Sequence, residues 1–298
     1  MCGGAHAHLR AFTPPAVLDA IARERITFIT LVPTMITALV NHPAIGEHDL
    51  SSLRRLIYGA SPMPPATLRA ALGALPCQFY QGYGLTEASP GLAFLLPEDH
   101  RDDGSTDAAR RLRSAGRAAL GVHLRVVDEA DREVLPGAVG EVIARGANIT
   151  RGYWRRPEET AEALRGGWLH TGDLATLDEA GYLTIVDRKR NLIISGGENV
   201  YSVEVERALA DHPAVLECAV IGVPDPSWGE AVRAIVVLKP GATAGAATLL
   251  AHCRERIAGF KVPKAVKFRD ALPKSGAGKV LKRELREPYW AGETKGVH

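Results

Sequence analysis

"SSLRRLIYGASPMPPATLRAALGAL", residues 51–75, reads as a short strand, a Gly/Ser/Pro loop and a helix that starts near a proline pair. The same scheme stands on both sides of it. Upstream, "PAVLDAIARERITFITLVPTMITALVNHP" (15–43) is helix, strand, helix, with a β-rich run from Ile26 to Val32 that Pro33 ends. Downstream, "PCQFYQGYGLTEAS" (76–89) is another strand running into a loop. Strands that alternate with helices imply a parallel sheet with helices on its faces. Such sheets gather ligands where strands end in loops, so loops 58–64 and 82–91 are the first places to seek a site.

Farther along, the pattern changes twice. Between residues 121 and 187, "GVHLRVVDEADREVLPGAVGEVIARGANI" and "GYLTIVDRKRN" alternate apolar with polar residues and break at "DEAD" and "DEAG" turns. They read as antiparallel strands forming a small barrel. After Arg190 come a helix ("VYSVEVERALADH"), two strands ("AVLECAVIGVP", "EAVRAIVVLKPG"), a helix ("ATLLAHCRERIAGF") and a strand ("KAVKFRD"). This α+β unit has its own core pattern, which places a domain boundary near residue 190. Residues 99–114, "DHRDDGSTDAARRLRS", read as a charged surface segment.

A chain of 298 residues fits about two domains. Hydrophobic residues are 46% and charged residues 23% of it, ample for a sizeable core. The net charge of +2 is too small to imply a nucleic-acid or anionic-membrane surface. No apolar run approaches ~20 residues, and the N-terminus lacks the basic-then-apolar layout of a secretion signal. The expectation is a cytoplasmic protein without a transmembrane segment. Cys2, Cys77, Cys218 and Cys253 form no CxxC pair and suit a reducing compartment as buried or free thiols. His6 and His8 lack a second ligand pair at metal spacing and read as non-metal.

Near the end, "LPKSGAGKVLKREL" (272–285) puts glycines and a lysine in a short polar loop before a last helix, "VLKRELREPYW". A P-loop would need glycine where Pro273 stands and a hydroxyl where Val280 stands, so this is not a nucleotide cradle of that type. By itself the loop reads equally well as an exposed basic turn.

Four stretches taken in order narrow the choice: "YGASPMP" (58–64), "QGYGLTEAS" (81–89), "GWLHTGDLATLDEAGYLTIVDRKRNLIISGGENVYSVEVE" (167–206) and "LPKSGAGKVLKREL" (272–285). Together they resemble the adenylate-forming (AMP-binding) acyl-CoA ligases, relatives of firefly luciferase and of peptide-synthetase adenylation domains, and in style the bacterial fatty-acid–CoA ligases. The resemblance runs from about residue 10 to residue 290, and the third stretch is the most diagnostic. It implies an α/β fold: an incomplete large adenylation domain over 1–189, with parallel sheet layers plus the small antiparallel barrel, then a small mobile α+β C-terminal domain over 190–298.

The implied chemistry activates a carboxylic acid on ATP, giving acyl-AMP and pyrophosphate, then exchanges AMP for the thiol of CoA. ATP, Mg²⁺ and CoA are the implied cofactor and co-substrates. By resemblance Tyr83 stacks on adenine, with Gly59, Ala60 and Ser61 at its edge and Gly84 beside it. Thr86 would bond a phosphate oxygen and Glu87 would hold Mg²⁺. Asp173 would accept both ribose hydroxyls, with Arg188 completing the contact. Lys279 would reach the carboxylate and α-phosphate oxygens, with Gly276 and Gly278 letting its loop bend. Arg190, where the family usually has Asp or Lys, would be the hinge. Gly196 and Gly197 would line the pantetheine tunnel, and Trp228 would pack. Ser202 replaces a proline common after "VY", a change read as neutral. Each residue also has a plainer reading: Tyr83 a core aromatic, "TE" a helix cap, Asp173 and Arg188 turn or surface ion-pair residues, Lys279 a surface lysine.

The family's glycine- and Ser/Thr-rich phosphate loop, "SGTTGxPKG" in typical members, belongs upstream of the stretch that residue 1 matches. The expectation is therefore a truncated chain, with residues 1–120 poorly stable alone and the C-terminal domain able to fold by itself. Three functions stay open: an acyl-CoA ligase, a non-catalytic remnant that binds nucleotide or a partner, and an adenylating enzyme that loads a carrier-protein thiol. Gly82, Gly84 and Gly91 as pocket wall permit a bulky or long acid, with a medium or long fatty acid favoured.

Overall fold

The computed structural model describes residues 3–61, 63–275 and 278–291, so Cys2, Pro62 and Gly276 lie outside the described residues. The chain divides into two compact units, Met1–Thr171 with Ala175–Ile185, and Gly172–Leu174 with Val186–His298.

The first unit opens with α1 (Pro14–Glu24), β1 (Phe28–Leu31), α2 (Pro33–Val40), β2 (Arg55–Gly59), α3 (Pro65–Ala74) and β3 (Gln78–Gly84). Prolines at the first turns of all three helices preset φ where no backbone N–H is needed. Strands β1, β2 and β3 pair in parallel, as the alternation of strand and helix requires. Leu18, Ile36, Leu39, Leu56, Leu68 and Phe79 form the core between this sheet and its helices. Two antiparallel strands, β4 (Gly91–Leu95) and β5 (Arg117–Ala118), complete the order β1-β2-β3-β4-β5.

Between β4 and β5 lies α4 (Thr106–Arg111), inside the segment expected to be charged surface. That expectation holds only in part, because Asp99 and His100 are buried. His100 Nε2 lies 3.0 Å from Tyr58 Oη, and its Nδ1 lies 2.8 Å from the carbonyl of Leu96. Asp99 accepts from Tyr182 Oη at 2.6 Å. Polar side chains with partners can enter a core that an unpaired one cannot.

The alternating stretch after residue 121 gives β6 (Val122–Val127), β7 (Gly140–Gly146), α5 (Pro157–Ala163), β8 (Leu169–Leu177) and β9 (Leu183–Arg188). The strands form a four-stranded sheet whose path runs β6-β7-β8-β9. In the "DEAD" turn Asp128 caps the backbone N–H groups of Ala130 and Arg132 at 2.9 Å each.

The second unit contains β10 (Ile193–Ser195), β11 (Glu198–Val200), α6 (Ser202–Ala210), β12 (Val215–Asp225), β13 (Gly229–Leu238), α7 (Ala246–Arg254), β14 (Ala265–Phe268) and α8 (Lys282–Trp290). Its sheet runs β11-β10-β13-β12, with β14 also paired to β13. The β12–β13 hairpin is apolar almost throughout because both faces are covered. Val220, Val232, Ala234 and Val236 face the cluster of α6 and α7, whereas Ile221, Val223, Ile235 and Val237 face Leu285 of α8. Among the described residues no helix is long and apolar enough to cross a membrane. Cys77, Cys218 and Cys253 are free, and burial raises the pKa of each thiol, that of Cys77 to about 11.

Candidate functional site

In the first unit the site residues gather where β2 and β3 end. Gly59 pairs with Gly82 in the parallel register, so Gly59-Ala60-Ser61 leave the sheet beside Tyr83, Gly84 and the turn that follows. The approach is close: a Cβ on Gly59 would collide with the Gly82 carbonyl oxygen, and one on Gly84 with that of Pro90. Ala60 sits at φ 69°, a left-handed conformation that costs a non-glycine residue about 1–3 kcal/mol. Such strain persists only where neighbours enforce it, and it concentrates at functional sites.

Tyr83 is half-buried and packs against both Ala93, Val126 and Val142 and Ala88, Leu92 and Leu169. Thr86 and Glu87 lie in a 3₁₀ turn (Thr86–Ala88) that Ser89 closes at φ 54°. Thr86 is exposed and Glu87 half-exposed.

Three residues missed in the sequence hold this turn. Tyr153 Oη donates to Glu87 Oε1 at 2.9 Å, and Thr150 N donates to the Glu87 carbonyl at 2.7 Å. Asn148 Nδ2 donates to the carbonyls of Ala88 and Gly91 at 2.7 and 2.9 Å. Burial, then the Glu87 carboxylate, push the Tyr153 phenol above its ordinary pKa. The available signal was a polar run, "NITRGY", directly after a buried strand.

The second unit holds the remaining candidates. Asp173, on β8, is 6% exposed, and Arg188, the last residue of β9, puts Nε 3.1 Å from its Oδ1. The spacing around one hairpin thus brings these two together. Burial, then the neighbouring Arg188 guanidinium, lower the Arg190 pKa, and the Arg190 carbonyl accepts from Arg286 Nη1 at 3.2 Å. Gly196 has φ 62°, its N–H bonds the Trp228 carbonyl at 2.8 Å, and a Cβ there would lie 2.5 Å from the Trp228 ring. Gly197 follows at φ 82°. Lys279 is exposed; beside it Lys274 bridges Val280, and Ser275 N donates to the Lys279 carbonyl at 2.8 Å.

Ser202, read as a neutral replacement, is fully buried and bonded. Its Oγ donates to Asp187 Oδ2 at 2.7 Å and accepts from Lys282 Nζ at 2.7 Å. Lys282 also lies 2.7 Å from Glu206 Oε1, which takes the Val220 N–H at 2.7 Å. Burial raises the Glu206 pKa against the opposing pull of Lys282. Asp187 Oδ1 accepts the Arg188 N–H at 2.7 Å, so the network reaches a residue two positions before the expected hinge.

The first unit thus carries a half-exposed tyrosine near the end of β3 and a carboxylate on a pinned turn, and the second carries a buried Asp–Arg pair. The chain belongs to the AMP-binding enzyme family, whose main domain matches residues 1–154 and whose C-terminal domain matches residues 204–279. It is 47% identical over 279 residues to a feruloyl-CoA synthase of Amycolatopsis sp, covering 94% of this chain and 55% of the relative. It is 40% identical over 291 residues to the fatty acid–[acyl-carrier-protein] ligase ScoC of Streptomyces coeruleorubidus, covering 97% of this chain and 55% of that protein. Among solved structures, the amide bond synthetase McbA of Marinactinospora thermotolerans superimposes with a TM-score of 0.86 at 42% identity, over 94% of this chain and 56% of that one. The chain spans about half the length of the curated relatives it matches.

Proposed function

We propose that the protein is an ATP-dependent carboxylic acid–CoA ligase that forms an acyl-adenylate and then a thioester. The observation that carries this reading is the joint exit of Gly59–Ser61 and Tyr83–Glu87 from neighbouring strand ends. In this reading the half-buried Tyr83 ring stacks on adenine, with the backbone of Gly59, Ala60 and Ser61 at the base's edge. Asp173, oriented by Arg188, accepts the ribose hydroxyls. The acid's carboxylate oxygen attacks the α-phosphorus, and the bond to pyrophosphate breaks. Lys279 supplies positive charge to the oxygens that gain charge in that step. The thiol sulfur of CoA, losing its proton, then attacks the acyl carbon, and AMP leaves. Gly197, with open space where a Cβ would stand, passes the pantetheine chain, Gly196 beside it packs on the Trp228 ring, and Arg190 is the pivot between the two steps.

Glu87 fits Mg²⁺ by the chemistry of its donors: a hard carboxylate, with the Thr86 hydroxyl beside it, suits an ion carried mostly on substrate phosphates. When bound, that ion neutralises phosphate charge. The acyl group was expected to be a medium or long fatty acid. The 47% identity to a feruloyl-CoA synthase, against 40% for ScoC, puts an aryl-propenoic acid ahead of it.

The test is acid-dependent AMP release by the 298-residue chain with ATP, Mg²⁺, CoA, ferulate and a fatty-acid series. Expected is release that Lys279→Ala lowers by about 100-fold or more. Acid-dependent AMP release that tracks a carrier-protein thiol and not CoA would favour the carrier-loading reading. Nucleotide binding without release under any acceptor would favour the non-catalytic one.

A further inference from the structure

We infer that Tyr153 is the positioning residue for the Glu87 carboxylate, and that segment 148–153 is a clamp fixing the turn that offers this carboxylate to a phosphate-borne divalent cation. The inference rests on the role proposed for Glu87 and extends it to residues that no comparison assigns. Glu87 is held twice from one segment, through its carbonyl by Thr150 N at 2.7 Å and through Oε1 by Tyr153 Oη at 2.9 Å. Asn148 holds the carbonyls on either side of the rest of the turn, at Ala88 and Gly91. The clamp is itself tied down, because Tyr153 N donates to Thr160 Oγ1 at 2.9 Å and Gly152 N to Thr150 Oγ1 at 3.2 Å.

This arrangement removes the freedom a half-exposed glutamate ordinarily keeps. Its side chain cannot turn away without breaking the phenol hydrogen bond, and its backbone cannot shift without losing the Thr150 bond. A carboxylate has about four acceptor positions, so accepting one phenol leaves positions for a cation. A donor on one oxygen also orients the group.

The experiment compares wild type, Tyr153→Phe and Glu87→Gln in the full chain. Mn²⁺ is the probe, read by electron paramagnetic resonance with a non-hydrolysable ATP analogue. Nucleotide affinity without metal and the thermal midpoint are measured beside it. Expected is nucleotide-dependent Mn²⁺ binding that Glu87→Gln abolishes and Tyr153→Phe weakens about tenfold, with metal-free nucleotide affinity and midpoint unchanged. Wild-type Mn²⁺ affinity in Tyr153→Phe, with Glu87→Gln still deficient, overturns the inference and leaves the role of Glu87 standing. Mn²⁺ binding indifferent to Glu87→Gln, or absent in the wild type, overturns that role and the inference with it.

Discussion

At Gly59 the requirement for glycine is steric and directional. An added methyl points at the Gly82 carbonyl, a backbone atom that moves only if β2 and β3 separate. Gly82 differs, because its added Cβ would meet only the Phe94 ring, at 3.4 Å. Gly59→Ala should therefore cost about 1–3 kcal/mol in a urea titration, while Gly82→Ala stays near wild type. Equal losses would mean that this strand pair tolerates the approach. The comparison also marks what was legible at this scale. Gly59, Glu87 and Asp173 stand in local motifs, so the sequence alone could single them out. Asn148 and Tyr153 act on partners 57 to 66 residues away, and nothing in "NITRGY" names those partners. Ser202 was misjudged for the same reason, since Lys282 lies 80 residues on.

For α6 the N-terminal end is where the polar network matters. Asp187 Oδ2 takes both the Ser202 hydroxyl and the Val203 N–H, at 2.7 and 3.3 Å, and so caps the helix from outside it. Lys282, the first residue of α8, closes the network between Ser202 and Glu206. Two helices far apart in sequence are thus fixed to the strand residue that precedes the expected hinge. Ser202→Ala would leave Lys282 and Asp187 each short of one buried partner, a loss of about 1–3 kcal/mol. A double-mutant cycle with Lys282→Met should give a coupling energy of about 0.5–3 kcal/mol. Additive effects would show that the hydroxyl and the ammonium act independently. The elements themselves were legible, because helix and strand periodicity is local. Their ends, and the burial of Asp99 and His100 in a segment rich in charge, depended on contacts that composition does not carry.

Over the whole molecule, each unit has its own apolar clusters and its own acid-sensitive histidine. In the first, burial holds His100 below the ordinary histidine pKa, although the Leu96 carbonyl, Asp99 and Glu98 pull it up. In the second, burial, then Arg256 and His212, lower His252. A histidine whose folded pKa is depressed contributes fully above the unfolded value of about 6.5. Below that value the unfolded chain binds the extra proton first, so stability falls as pH drops toward the folded pKa. Calorimetry of the full chain at pH 7.5 and at successively lower pH should therefore show two transitions, both moving down in acid. His100→Gln should flatten the shift of the first unit's transition alone, and His252→Gln that of the second. One merged transition, flattened by either variant, would mean that the two cores unfold as a single cooperative block.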